Sequence, residues 1–172
     1  TTFMLKHEID TGNIIMQEST PIDENENVGN VYDRLMHIGQ TVVTRTVDLI
    51  IESENTNTPL RTIPQTETTE LRPAPKLFKD TCEIHFDQMT ATQVKNFVRG
   101  LSPYPAAWCN MIIAEQAFEN VKIHAVEVLD DSHISSKKDI IVRCKEGAVR
   151  IMELQVPGKK RMDVKSFLNG LH

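Results

Sequence analysis

Val98-Arg99-Gly100-Leu101-Ser102-Pro103-Tyr104-Pro105-Ala106-Ala107-Trp108 is the stretch that decides how this chain is organised. Around its start, Val94, Phe97, Val98 and Leu101 fall at i, i+3, i+4 and i+7, which predicts an amphipathic helix over 91–101 with one buried face. Thr90 and Gln93 make a capping-box pair at its start, and Gly100 stands near its end. Pro103 and Pro105 cannot continue the helix, and they bias Ser102 and Tyr104 toward extended backbone. The chain's single tryptophan, Trp108, follows at once. A helix therefore delivers a rigid turn and an aromatic anchor onto a β core. Tyr104 and Trp108 read as core and turn anchors rather than as platforms for stacked bases.

Working outward, Cys82-Glu83-Ile84-His85-Phe86 alternates in the manner of a half-buried strand. Downstream, β-prone runs occupy 107–113, 121–129, 139–144 and 148–154, and Lys145-Glu146-Gly147 joins the last two as a hairpin. A short helix over 164–171 ends the chain. Five or so short strands with one inserted helix suit a small open barrel of the OB type. Before this, residues 54–75 shift to Thr, Asn, Pro and Glu, with four prolines and no apolar period, and read as an extended linker. Earlier still, the runs 2–5 and 13–17 are short and β-prone, with turn chemistry at Asp10-Thr11-Gly12 between them. Val31, Leu35, Ile38, Val42 and Leu49 then recur at helical spacing over 28–53. The expected fold class is α+β, in three parts: 1–53 as strand–loop–strand–helix, 54–75 as linker, and 76–172 as the barrel. A front piece this small would leave its core poorly covered.

The 172 residues carry a formal charge of −5, unevenly spread. Residues 1–72 hold 5 Lys and Arg against 12 Asp and Glu, whereas 73–172 hold 14 against 12. Two units with different partners fit that asymmetry. Cys82, Cys109 and Cys144 are three in number, far apart and without a Cys-x-x-Cys, which favours free thiols over a disulfide framework or a zinc site. The six histidines are scattered, so no metal is expected. Nor does any apolar run reach the ~18 residues of a membrane span.

The segment from Arg99 to Trp108 resembles the signature opening the C-terminal domain of the methionyl-tRNA formyltransferases. Two further stretches match at the spacing such a family requires. Thr2-Phe3-Met4-Leu5-Lys6-His7-Glu8-Ile9-Asp10-Thr11-Gly12 is similar to part of the catalytic domain's second half. Leu154-Gln155-Val156-Pro157-Gly158-Lys159-Lys160-Arg161-Met162 is similar to the family's closing Gly-Lys-Lys turn. The resemblance implies that 1–53 are the C-terminal remnant of an α/β formyltransferase domain and 76–172 an OB-like tRNA-side domain.

It further implies an enzyme moving a formyl group from 10-formyltetrahydrofolate to the amino group of methionyl-initiator tRNA. Asp10 matches the family's catalytic aspartate, which works beside an asparagine and a histidine that stabilise the oxyanion. Residues alone read Asp10 as turn punctuation. The family's Asn-x-His segment does not occur before Asp10, so the expectation is a piece of a longer protein, inactive alone. His7 lies outside such a motif and receives no role. Lys159, Lys160, Arg161, Arg99, Lys137 and Lys138 are the candidate phosphate contacts; their bland reading is a solvated charged surface, and Arg99 can also meet the carbonyls ending its own helix. A cytoplasmic monomer, without metal or membrane, completes the expectation. Two alternatives stay open: a related formyltransferase or hydrolase acting on a sugar nucleotide or formyl-folate, and a stand-alone OB-type nucleic-acid module.

Overall fold

A computed structural model of the protein describes residues 1–65, 73–129 and 139–171. They form two compact units: 1–24 with 30–75, and 25–29 with 76–172.

In the first unit, β1 (Thr2–Phe3) pairs antiparallel with β2 (Ile14–Met16), and α1 (Val28–Thr56) follows. Gly12 is what allows the intervening turn: a Cβ there would stand 1.4 Å from the Met4 carbonyl oxygen. The helix covers little. Val42 and Thr46 are its only residues described as buried, whereas Leu35 and Leu49, expected on the packed face, are exposed. Two short strands cannot cover an eight-turn helix. Thr46 satisfies its buried hydroxyl by bonding back to the Val42 carbonyl (2.7 Å) and meeting Thr2 Oγ1 (2.8 Å).

The structure corrects the expected extended linker over its first part. α1 continues to Thr56, and Ile63 exchanges two backbone hydrogen bonds with Ile14 at 2.8 and 2.7 Å, a bridge that adds to β2. Unpaired backbone groups beside a two-stranded ribbon recruit whatever extended chain lies in reach, whatever its composition. Residues 66–72 lie outside the described residues.

The second unit is built on α2 (Ala91–Leu101), which has the expected bounds and the reciprocal Thr90–Gln93 capping box. Its Ala91, Val94, Val98 and Leu101 enter a single core with Val121, Ile123, Val149, Ile151, Leu154 and Phe167. The sheet runs β3-β4-β6-β5, all antiparallel, with β7 added beside β6. Its strands are β3 (Ala107–Ile113), β4 (Gln116–Leu129), β5 (Ile140–Arg143), β6 (Ala148–Gln155) and β7 (Met162–Asp163). β4 begins five residues before the expected Val121, because Ala114 (φ 47°) and Glu115 (φ 66°) close a two-residue hairpin without the usual glycine. α3 (Val164–Asn169) is capped by Asp163, whose carboxylate accepts from the Ser166 amide (2.9 Å) and hydroxyl (2.7 Å), and these bonds hold that carboxyl below its ordinary range. Phe167 then meets Phe118 edge-to-face, with centroids 5.5 Å apart.

One expected strand is absent. Asp80–Cys82 is a single 3-10 turn, Glu83 alone bridges to Trp108, and His85 starts a turn with its carbonyl accepting from Gln88 and Met89. Period-2 alternation over five residues cannot tell a strand from a buried turn entering a helix.

Candidate functional site

Asp10 stands in the β1–β2 turn with its backbone in the left-handed region (φ 57°), a conformation Asp tolerates better than most residues. Its side chain is exposed, and Thr11 Oγ1 donates to the Glu8 carbonyl at 3.1 Å. The turn is clamped from a distance. Gln65 Nε2 donates to the carbonyls of Asp10 (2.8 Å) and Gly12 (2.6 Å). Nothing in the sequence marked Gln65, since it lies in the stretch read as linker. His7 is exposed in the same loop.

The basic candidates are dispersed. Pro157-Gly158 forms a tight turn, with the Lys159 amide donating to the Val156 carbonyl at 3.1 Å and Gly158 at φ 77°. Pro then Gly with positive φ is the type II requirement. This turn lifts Lys159 and Lys160 into solvent, while Gln155 Nε2 holds the Lys159 carbonyl at 2.9 Å. Arg161 is different: its guanidinium is engaged by the Glu153 carboxylate one strand away, which offsets its charge. Arg99 donates back to Asn96 Oδ1 within its own helix (2.8 Å) and outside it to the Glu26 carbonyl (3.1 Å). Lys137 and Lys138 lie outside the described residues.

Tyr104 requires a correction. Instead of anchoring the core it is 81% exposed. Ser102 (0%) and Ala106 (2%) are buried on either side, and the Ala106 amide returns to the Leu101 carbonyl at 2.9 Å, so the turn loops outward with Tyr104 at its tip. Trp108 does anchor: its indole N–H donates to the Lys79 carbonyl at 2.8 Å, and Lys79 Nζ sits 4.9 Å from the ring centroid. Between these rings and the Pro157-Gly158 turn opens a groove of about 540 Å³.

His124 lies on β4 where that strand bulges between Ile123 and Ala125 against β6. It is 7% exposed. Burial first, then the Arg161 guanidinium and more weakly Lys122, depress its pKa, against the opposing pull of Gln155 and Glu153. Above the unfolded value of 6.5 the ring is neutral in both states and this stability is complete. As pH falls below 6.5 the unfolded chain takes up its proton first, so stability declines down to the folded pKa. We expect His124→Gln to flatten the fall of Tm between about pH 7 and pH 5.5, with one proton bounding the effect at about 1.4 kcal/mol per pH unit. Parallel curves for both proteins would dismiss the linkage.

Two of the thiols shift upward instead. Burial, then Glu83, pushes Cys109 up to about 12, and burial raises Cys144, so neither is an activated nucleophile. Among the described residues no group of three or more His, Cys, Asp or Glu could hold a metal ion, and no helix is long and apolar enough to cross a membrane.

Comparison with known proteins gives this geometry a context. The chain is 41% identical to the methionyl-tRNA formyltransferase of Porphyromonas gingivalis (strain W83) and 43% identical to that of Bacteroides fragilis, alignments covering 99% and 100% of the chain. They cover 54% and 55% of those proteins, so the chain spans about half the length of the relatives it matches. In fold it is similar to HypX from Aquifex aeolicus, with a TM-score of 0.62 at 14% identity over 98% of this chain and 29% of that one. A HypX structure in complex with tetrahydrofolic acid matches equally, at 0.62 over 96% of the chain. Residues 76–172 match the family described as formyl transferase, C-terminal domain, and the chain belongs to that family.

Proposed function

We propose that this chain is the C-terminal part of a methionyl-tRNA formyltransferase, an enzyme that moves the formyl group of 10-formyltetrahydrofolate onto the amino group of methionyl-initiator tRNA. The observation that carries the reading is identity above 40% along the whole chain, first unit included, to proteins bearing that name. In this reading residues 1–53 belong to the catalytic domain, 54–75 lead out of it, and 76–172 form a tRNA-side domain. Asp10 orients the catalytic histidine and manages the proton that the attacking amine must lose. The asparagine and histidine of that site, and the folate pocket, belong to the part of the enzyme outside these residues.

Two structural features support the division of labour. Tyr32, Leu35, Met36, Val43, Val47 and Ile50 are exposed at helical spacing on α1, an apolar stripe suited to packing in a larger α/β domain. In the second unit, Glu83 bridges to edge strand β3 and Thr90 to the β5–β6 hairpin, contacts at both ends of the sheet that favour an OB-like barrel. No metal takes part in this chemistry, and the enzyme acts as a cytoplasmic monomer.

The exposed Lys159–Lys160 pair supports phosphate contacts that position the tRNA without reading its sequence. Replacing both by Ala is expected to lower the log–log salt slope of tRNA binding by about 1.4–1.8, at about 0.7–0.9 per contact. Arg161→Ala should change it less, because Glu153 already offsets that charge. Filter binding of initiator tRNA across a salt series measures both, and an unchanged slope in the double variant would place the RNA elsewhere.

A further inference from the structure

The groove beside Trp108 has a composition that the phosphate contacts do not use. Its walls are Phe78, Tyr104 and Trp108, with Lys79, Lys122 and Asn120 among the remaining lining residues. Phe78 is 59% and Tyr104 81% exposed, values that forfeit apolar burial unless something covers the rings. Among the described residues no carboxylate lines the groove. The indole is also fixed in place, because its N–H is tied to the Lys79 carbonyl. One end of the groove is Pro157-Gly158, which leads directly into Lys159 and Lys160.

We propose that this groove holds an unpaired nucleotide of the bound RNA, its base stacked on Tyr104 and Trp108. The inference rests on the tRNA reading above and adds a base-holding site to it. Rigid aromatic walls accept any base face, and an adjacent file of lysines accepts the phosphates on either side of it. Charge selects this occupant: an aromatic groove flanked by lysines, with no carboxylate among its described lining residues, matches a polyanion with exposed π-faces. An apolar protein segment has no use for Lys79 and Lys122. Asn120 can meet a base edge, and its side chain fixes no single base, so the site discriminates unpaired from paired nucleotides more than base from base.

Trp108 is the only tryptophan, so its emission reports on this groove alone. Titrating the 172-residue chain with a short unpaired oligoribonucleotide should quench that emission, whereas a blunt duplex of equal charge should bind without quenching. Tyr104→Ala should weaken the unpaired oligomer about 5- to 150-fold, the effect of one lost stacking partner, while the salt slope stays unchanged. Tyr104→Phe should restore binding, since stacking needs the ring and not the hydroxyl. Equal affinity of Tyr104→Ala and wild type, or equal quenching by duplex, would overturn the groove while leaving the lysine contacts standing. Absence of any RNA binding would remove both readings. If Tyr104→Ala lowers Tm in the absence of RNA and leaves RNA affinity intact, the groove packs protein and the proposal fails.

Discussion

Asp10→Asn in the full-length parent is expected, on the role proposed for it, to lower formyl transfer by about 10²–10⁴-fold, the usual contribution of a positioned acid–base group. The substitution keeps volume and shape but removes the charge that, in the proposed role, holds the histidine and receives the proton. The turn itself should survive, because Asn tolerates the left-handed backbone (φ 57°) at least as well as Asp. Gln65 also binds the Asp10 carbonyl, which the substitution leaves in place. Affinity for tRNA should be unaltered, since the lysines assigned to phosphates belong to the second unit. Single-turnover formylation of charged initiator tRNA, beside a melting curve, gives the answer. A near-wild-type rate from a normally folded variant would reduce Asp10 to a turn residue.

The largest effect on structure is expected at Gly12. An alanine Cβ would lie 1.4 Å from the Met4 oxygen and 2.6 Å from its carbonyl carbon, both backbone atoms that no rotamer change can move aside. The chain must shift, and the Met4–Asn13 bond (2.9 Å) and the Gln65 clamp on Gly12 (2.6 Å) are lost with it. Overpacking costs about 1–3 kcal/mol, and each lost bond about 0.5–1.5. A destabilisation of about 2–6 kcal/mol is therefore expected for the first unit. Two probes separate the units in a urea titration. Helical ellipticity, to which the 29-residue α1 contributes most, should fall at lower urea than in wild type, whereas Trp108 emission should keep its midpoint. Wild-type behaviour by both probes would show that the loop can absorb a methyl group.

Much of the second unit was legible in the order of its residues. The Thr90–Gln93 pair, the apolar spacing from Val94 to Leu101 and the prolines after Ser102 determined where α2 begins and ends, because caps and proline act locally. β3, β6 and the start of α3 were equally readable from alternation and turn residues. The Asp10 turn and the Lys159–Lys160 turn were visible too, through a family resemblance more than through physics, since a carboxylate or a cation on a loop is commonplace.

Tertiary structure alone decided the rest. A residue's partner across the fold is not written in its neighbours. Gln65 reaches back some fifty positions to clamp Asp10 and Gly12, and Ile63 joins β2 because unpaired backbone was waiting there. Arg161 is cationic in composition but is held by Glu153 across the β6–β7 register. Tyr104 shows the principle most plainly. Its aromatic character predicted burial, yet Ser102 and Ala106 on either side are the buried pair, and the loop between them has nowhere to point but outward. Sequence set the local geometry of that turn. Which side of it met protein and which met solvent depended on the sheet beneath it.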